Sequence, residues 1–369
     1  MEFSIMFFAS ANQTLGADKY SLVRRAARFA DARGFRAIWT PERHFHEFGG
    51  IFPNPSVMTA ALAMITERVE LRGGSVVSPL HHAVRVAEEW SVADNLSQGR
   101  VSISFGSGWN VDDFVFFPER YAGRRDVMFE QIEDIRRLWR GEPLRQKNGA
   151  GNLVDVMLSP RPIQPELPVW ISSSGNAVTF ARAGQIGANV LTHLLGQDVA
   201  GLAENVAVYR RSCEHSGARP ARGGSGTVSL MLHTFLGADL ESVRDAVRGP
   251  FRDYLRSALK LEMQSAQGGG VASGGKRLNA DDPVAAPDLE ALVDLSFDRY
   301  FEHGALIGTL DTCGRMVQRL EAAGVDEIAC LIDFGVEEDR VAASLELLDR
   351  LRADVASRQT DADMSLVNR

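Results

Sequence analysis

The chain is poor in cysteine. Its three, Cys213, Cys313 and Cys330, are scattered and odd in number. They make neither a CxxC pair nor a zinc spacing, which excludes a disulfide framework and fits a reducing compartment. Long hydrophobic runs are also missing, and none approaches the roughly 20 residues of a membrane helix. Met1-Glu2-Phe3-Ser4-Ile5-Met6 has no basic segment ahead of an apolar one, so no secretory leader is expected. There is no excess of positive charge: 40 Lys and Arg against 48 Asp and Glu leave a formal net charge of −8. Whole-protein attraction to nucleic acid or anionic membrane is therefore not expected. No GxSxG elbow, Walker loop, HExxH or kinase signature occurs, so nucleophilic hydrolysis and phosphoryl transfer lack their usual marks. These absences lead to the expectation of a cytoplasmic protein with no nucleic-acid partner, no membrane partner and no metal.

What is present is a globular composition, 45% hydrophobic and 24% charged in 369 residues, with 34 glycines for many short turns. Apolar runs of strand length fall at 3–9, 35–40, 69–77, 100–105, 168–172, 188–192, 227–236 and 327–332. Between them, helical periodicity marks 18–33, 83–96, 124–140, 176–183, 199–213, 312–323 and a closing 341–355. Asp18 is expected to cap the first helix, and Gly34 and Gly141 to stop the first and third. Such alternation demands parallel strands with crossovers. Eight units point to a (β/α)8 TIM barrel, one domain over 1–357, with insertions after the fourth and seventh strands. The rival, an open doubly wound sheet, would want a GxGxxG after its first strand, and Ala9-Ser10-Ala11-Asn12 stands there instead. The insertion at 144–168 reads as an extended loop or a hairpin. The one at 264–287, rich in glycine and flanked by helices at 251–263 and 289–303, reads as a mobile segment at the barrel mouth, a lid, a partner-docking segment or a tolerated insertion. A disordered tail is expected over 358–369.

The densest chemistry follows the second strand: Trp39-Thr40-Pro41-Glu42-Arg43-His44-Phe45-His46-Glu47-Phe48-Gly49-Gly50. In a barrel this loop opens at the catalytic face, where histidines act as acid or base near neutral pH. A metal reading of His44 and His46 lacks a third ligand nearby, and ion pairing with aromatic packing is the plain alternative for any one of these residues. His81-His82 follows the third strand, either lining the same mouth or opening a helix. Ser104-Phe105-Gly106-Ser107-Gly108-Trp109 closes the fourth strand with small residues that admit a planar ligand and a tryptophan that could cover it. Ser172-Ser173-Ser174-Gly175-Asn176 opens a helix and suits a phosphate, alongside simple capping by Asn176. A phosphorylated cofactor such as a flavin, carrying its own reactivity, fits this set.

Four stretches in this order resemble the bacterial luciferase-like flavin monooxygenases: the opening at 3–10; Ile38-Trp39-Thr40-Pro41-Glu42-Arg43-His44-Phe45; Pro79-Leu80-His81-His82-Ala83-Val84-Arg85-Val86-Ala87-Glu88-Glu89 with Leu96-Ser97-Gln98-Gly99-Arg100; and Pro168-Val169-Trp170-Ile171-Ser172-Ser173-Ser174-Gly175. The likeness covers most of 1–201 and returns at 324–335. The Glu-Arg-His-Phe loop, the Leu-His-His block and Leu331-Ile332-Asp333-Phe334-Gly335 look like the subgroup associated with non-ribosomal peptide and polyketide biosynthesis. The resemblance implies a barrel that binds FMN as a homodimer. Reduced FMN comes from a separate flavin reductase and reacts with oxygen to a C4a-peroxyflavin, which oxygenates a small-molecule or carrier-protein-bound substrate.

On the matching positions the resemblance places the flavin phosphate at Ser173, Ser174, Gly175 and Thr179. It places the ring and ribityl chain at Ser104, Gly106, Ser107 and Trp109, with Ala9, Ser10 and Ser75 near the ring. His44 is the first choice for proton handling and His82 the second. One position departs: luciferases carry Glu-His-His-Phe, and their first, catalytic histidine is Arg43 here. Aldehyde light emission is therefore not expected, and Arg43 is read as holding an anionic substrate group or a phosphopantetheine arm. Two other readings stay open at this point, a deazaflavin-dependent dehydrogenase of the same superfamily and a non-catalytic flavin-binding protein.

Overall fold

A computed structural model of the chain describes residues 1–8, 18–195, 197–221, 226–267 and 286–367. Its strands are β1 Glu2–Met6, β2 Ala37–Thr40, β3 Glu70–Val77, β4 Val101–Gly106, β5 Leu144–Lys147, β6 Leu153–Val156, β7 Val169–Ser173, β8 Asn189–His193, β9 Val228–Leu236, β10 Leu306–Gly308 and β11 Glu327–Leu331. All but β5, β6 and β10 form a closed ring of eight parallel strands, β1-β2-β3-β4-β7-β8-β9-β11, in which β11 returns to β1 with Glu2 opposite Glu327. The (β/α)8 barrel expected from the alternation is what forms. The three-residue β10 pairs with the far end of β9 outside that ring, with Leu306 opposite Thr234. It is too short for any pattern to reveal it.

The helices are α1 Ser21–Arg33, α2 Pro55–Ala63, α3 Ala83–Ser97, α4 Arg124–Arg140, α5 Ala177–Gln185, α6 Val199–Ser216, α7 Leu240–Gln267, α8 Ala286–Arg299, α9 Leu310–Ala322 and α10 Glu338–Val367. Their apolar stripes face the barrel: Met128, Ile132, Ile135 and Leu138 of α4, for example, are all buried. Gly34 and Gly141 end α1 and α4 in the left-handed conformation, as their positions led one to expect. At Gly141 a Cβ would also sit 1.7 Å from Nη1 of Arg161. Asp18 does not cap α1. Its carboxylate turns to the Tyr20 N–H and to Arg24, and the helix begins without a side-chain cap. The sequence reading missed α2, capped by Asn54 with Pro55 in its first turn, because it is short and apolar on most sides.

The insertion after β4 is an antiparallel β5–β6 hairpin, with Leu144 opposite Val156. It joins the end of α4 to the start of β7 and so lies at the end of the barrel away from the mouth. The insertion after β9 is built differently. Helix α7 runs unbroken from Leu240 through Pro250 to Gln267, longer than the 251–263 segment expected. Helix α8 and a π-helical turn, Tyr300–Gly304, bring the chain back. Residues 268–285, the centre of the expected mobile segment, lie outside the described residues. Helix α10 continues to Val367 where a disordered tail was expected from 358, since this stretch contains no Gly or Pro to break it. Among the described residues no helix is long and apolar enough to cross a membrane.

The strand-start end of the barrel is closed by a buried ion network. Arg72, 2% exposed, donates to both carboxylate oxygens of Glu327 at 3.0 and 2.9 Å and to Glu70 at 3.0 Å. Glu327 also accepts from the Ser4 hydroxyl at 2.7 Å, the Ser229 hydroxyl at 3.0 Å and Trp39 Nε1 at 3.2 Å. The guanidinium lies 4.7 and 4.5 Å from the Trp39 and Trp170 rings. Burial works against its charge, but Glu327 and Glu70 outweigh that and raise its pKa. Every donor here has an acceptor, which is the condition for a buried pair to be tolerated.

Candidate active site

At the other end of the barrel the loop after β2 turns inward. The Glu42 carboxylate is wholly buried, and its Oε1 lies 2.8 Å from His44 Nε2 and 2.6 Å from His81 Nε2. Its Oε2 accepts from the Val77 N–H at 2.8 Å. A carboxylate can only accept, so both imidazoles present Nε2–H to it. Burial by itself would raise the Glu42 pKa, but the hydrogen bonds from His44, His81 and Val77 and the charge of His81 outweigh it and hold it below the usual range. For His81 burial opposes the charge, while the hydrogen bond to Glu42 and its charge raise the pKa above the ordinary histidine value. The result is a buried carboxylate shared by two imidazoles at the mouth. The His81 carbonyl accepts from Arg120 at 2.6 Å and from Gln131 at 2.9 Å, which ties the turn after β3 to the segment after β4. The His44 ring packs against Phe116 and Phe45, with ring centres 5.2 and 5.5 Å away, and Phe45 itself is 68% exposed.

His82 is not part of this group. It is exposed and caps α3, its Nδ1 accepting from the Val84 N–H at 3.3 Å. The neighbouring His81 takes the place expected for it, because the turn Ser78–Leu80 directs the first of the two side chains inward. Arg43 follows Glu42 into the interior. Its guanidinium lies 5.3 Å from the Phe8 ring and 5.1 Å from that of Trp109, and 3.8 Å from Asp113. Asp113 in turn accepts from Asn110 at 2.8 Å, and burial raises its pKa against the pull of Arg43.

The strand ends between the loop and the α5 side form a floor of small residues. Ser75, Ser104 and Ser172, from three neighbouring strands, join through hydroxyls, with Ser172 Oγ 2.6 Å from Ser75 Oγ and 2.8 Å from Ser104 Oγ. The Gly74–Ser75 peptide is cis, and β3 shifts register between Gly74 and Val76. A Cβ on Gly74 would lie 2.5 Å from the Trp39 ring, so glycine is required there. Gly106 sits against Ser75, and Ser107 and Trp109 follow, half-buried, in the turn after β4. Ala9 and Ser10 lie outside the described residues.

At the end of β7 the Ser173 hydroxyl is buried without a hydrogen-bond partner among the described residues. Ser174 and Gly175 (φ +96°) carry the chain into α5, and Thr179 is half-buried in its first turn. Asn176 caps α5, accepting from the Val178 and Thr179 N–H groups at 2.9 and 3.3 Å. The expected capping is therefore real, and it takes two of the N–H groups that an anion would use. The unpartnered buried hydroxyl of Ser173, at the strand end ahead of this helix, still leaves a donor that a phosphate ester could use.

The wall opposite is aromatic. His233, on β9, stands 4.6 Å from the Phe251 ring, 4.9 Å from Tyr254, 5.6 Å from Tyr300 and 5.8 Å from Phe334. Burial lowers its pKa to about 3 and that of His193, on the neighbouring β8, to about 4. Both are neutral at physiological pH. Helix α7 reaches the β2 loop where Tyr254 meets Phe48 at 4.8 Å. Glu42, Asp113 and His233 were not singled out from the sequence, and His81 was named only as one of a pair that could line the mouth. Glu42 stood inside a motif already noticed, whereas His233 lies in an unremarkable strand.

Comparisons with known proteins bear on the family and the fold. The chain is 28% identical over 343 residues, 89% of its length and 87% of the relative's, to the oxygenase component of the flavin-dependent trigonelline monooxygenase of Acinetobacter baylyi. The fold is shared with a monooxygenase from Streptomyces bottropensis at a TM-score of 0.75, with 22% identity over 95% of this chain and 98% of that one. It is shared also with the oxygenating constituent of 3,6-diketocamphane monooxygenase from Pseudomonas putida, solved in complex with FMN, at a TM-score of 0.71 with 19% identity over 96% and 98%. The model of the luciferase-like monooxygenase family matches residues 1–327, and the chain belongs to that family as a flavin-dependent monooxygenase.

Proposed function

We propose that this protein is the oxygenase of a two-component system: it takes reduced FMN from a separate flavin reductase and uses O2 to oxygenate a natural-product intermediate, free or bound to a carrier protein. The observation that carries the reading is the pairing, at one barrel mouth, of an unpartnered buried hydroxyl at the end of β7, just ahead of α5, with a small-residue floor and a buried carboxylate–imidazole group. The Acinetobacter relative's description as an oxygenase component supports a separate reductase, and the Pseudomonas complex supports FMN as the flavin. The Glu-Arg-His-Phe loop and the Leu-His-His block support the natural-product substrate.

The residues present fit the flavin. Ser173, Ser174, Gly175 and Thr179 would hold its phosphate, and Ser75, Ser104, Gly106, Ser107 and Trp109 its ring and side chain. Reduced FMN supplies two electrons, so that one atom of O2 enters the substrate and the other leaves as water. His44 holds or moves a proton at its imidazole. Glu42 is a positioning residue that fixes the Nε2–H tautomer of both His44 and His81. His81 donates its own Nε2–H to that shared carboxylate, and the buried aromatics of helix α7, Phe251 and Tyr254, line the wall opposite and limit water there. The protein acts as a homodimer in this reading.

Anaerobic titration with reduced FMN, followed by mixing with aerated buffer in a stopped-flow spectrometer, tests it. Tight binding and a transient absorbance distinct from reduced and oxidised flavin are expected. Absence of reduced-FMN binding, with binding of a reduced deazaflavin in its place, would replace the reading by a dehydrogenase.

A further inference from the structure

Arg43 is a charge held in the wrong company. It is 8% exposed, its Nε is buried without a hydrogen-bond partner among the described residues, and its ion pair with Asp113 spans 3.8 Å, beyond hydrogen-bonding reach. A guanidinium has five N–H donors, and a buried one left without an acceptor, as Nε is here, is a cost that a bound acceptor would remove. Arg72 at the other end of the same barrel shows the alternative, with both carboxylate oxygens of Glu327 within 3.0 Å. The neighbours of Arg43 are instead ring faces, Phe8 and Trp109. From Phe8 the aromatic wall continues through Phe48 at 5.1 Å and Tyr254 at 4.8 Å to His233 at 4.9 Å.

We infer that Arg43 is the anchor of the substrate, receiving a carboxylate through its planar fork while the aromatic wall takes the planar apolar body to which that carboxylate is attached. This deepens the oxygenase reading and rests on it. Between anions, the surrounding acids favour the one of lower charge, since Glu42 also acts on the guanidinium. Asp113 lies beside the guanidinium, and Glu262, on α7, is close enough to feel its charge. A dianionic phosphate would be repelled by these acids about twice as strongly as a carboxylate, which also matches the planar fork. On the proposed reading the flavin phosphate would take a separate donor, the unpartnered Ser173 hydroxyl at the end of β7.

The test uses the full chain and three probes, benzoate, phenylacetate and nicotinate, each against its amide, with phenyl phosphate as the dianion. Binding is measured calorimetrically to the wild type, Arg43→Lys and Arg43→Gln, and reduced-FMN affinity is measured anaerobically on the same preparations. At least one carboxylate is expected to bind tenfold or more tighter than its amide. Arg43→Gln should abolish that difference and Arg43→Lys should shrink it, since an ammonium keeps the charge but loses the fork, with reduced-FMN affinity within twofold throughout. Equal binding of all acids and amides overturns the inference, as does phenyl phosphate binding tighter than every carboxylate. So does a loss of reduced-FMN affinity in Arg43→Gln as large as the loss for the carboxylate, which would assign Arg43 to the flavin. Arg43-dependent carboxylate binding in a protein that binds no reduced FMN would support the anchor and overturn the oxygenase reading.

Discussion

Replacing Glu42 by glutamine keeps the side-chain shape and removes the charge that two imidazoles share. Glutamine offers one acceptor oxygen where the carboxylate offers two. Its NH2 can be satisfied only by donating to both imidazoles, which must then give up the Nε2–H tautomer, and His81 its charge. Because the carboxylate is fully buried, the loss should approach that of a broken buried pair, about 3–5 kcal/mol. The pH dependence gives the sharper test. The His81 pKa lies above its ordinary 6.5 in the fold, so its stabilising contribution is complete below that value and fades as pH rises through the raised pKa. The Glu42 pKa lies below 4.5, so its contribution is complete above that value and fades as pH falls through the depressed pKa. The coupling is therefore greatest between pH 4.5 and 6.5. Thermal unfolding of wild type and Glu42→Gln at pH 5.5 and 8.5 should show the larger gap at pH 5.5. In the variant the two contributions of Glu42 are gone, leaving burial and Arg120 against Glu89 alone, and the NMR titration of His81 should move below that of the wild type. An equal gap at both pH values, or an unmoved His81 titration, would refute the carboxylate–imidazole coupling.

The two adjacent histidines should separate cleanly. His82→Ala removes a helix cap, costing about 1 kcal/mol of stability, and leaves the pH profile of oxygen consumption in place, whereas His81→Ala shifts that profile. Proton NMR should find His233 and His193 still neutral at pH 5, their titrations lying near 3 and 4, and a normal titration of either would contradict the burial described. Glu327→Ala should lower stability by about 3–5 kcal/mol by stranding Arg72, while Arg72→Met combined with Glu327→Leu should recover only part of that loss, because the buried Ser4 and Ser229 hydroxyls still lose their acceptor; chemical unfolding of the single and double variants checks it. Ser173→Ala should weaken reduced-FMN binding about tenfold or more, the worth of one charge-assisted hydrogen bond, and an unchanged titration would remove Ser173 from the phosphate site.

The barrel was legible because its code is local. Buried parallel strands are short continuous apolar runs, and each helix carries its own stripe and its own stop, as Gly34 and Gly141 do. What stayed hidden was decided at a distance or by lack of length. The strand β10 has three residues and gains its partner only where β9 overruns the ring. Asp18 stood at a capping position, but an arginine six residues on competed for its carboxylate. At the site, the motif after β3 announced a histidine pair without saying which one turns inward. That choice belongs to the turn Ser78–Leu80 and to Arg120 and Gln131, some 40 to 50 residues away, which hold the His81 carbonyl. Glu42 was visible only as one acid among several, since what distinguishes it is the burial that the fold imposes.

The two buried arginines show how the barrel divides its work between its ends. Both lie against aromatic rings at 4.5 to 5.3 Å, and both are nearly inaccessible. At the strand-start end Arg72 is saturated by Glu327 and Glu70, so nothing there can gain by binding a ligand. At the mouth the acids are arranged the other way. Glu42 spends its oxygens on His44, His81 and the Val77 N–H, and Asp113 turns to Asn110, so neither hydrogen-bonds to Arg43 beside them. A chain selected only for stability would have let one of these carboxylates close on the guanidinium. Keeping them apart costs folding free energy and leaves a donor fork and an oriented pair of imidazoles at the same opening. That distribution of satisfied and unsatisfied groups separates the end that holds the barrel together from the end that meets its ligands.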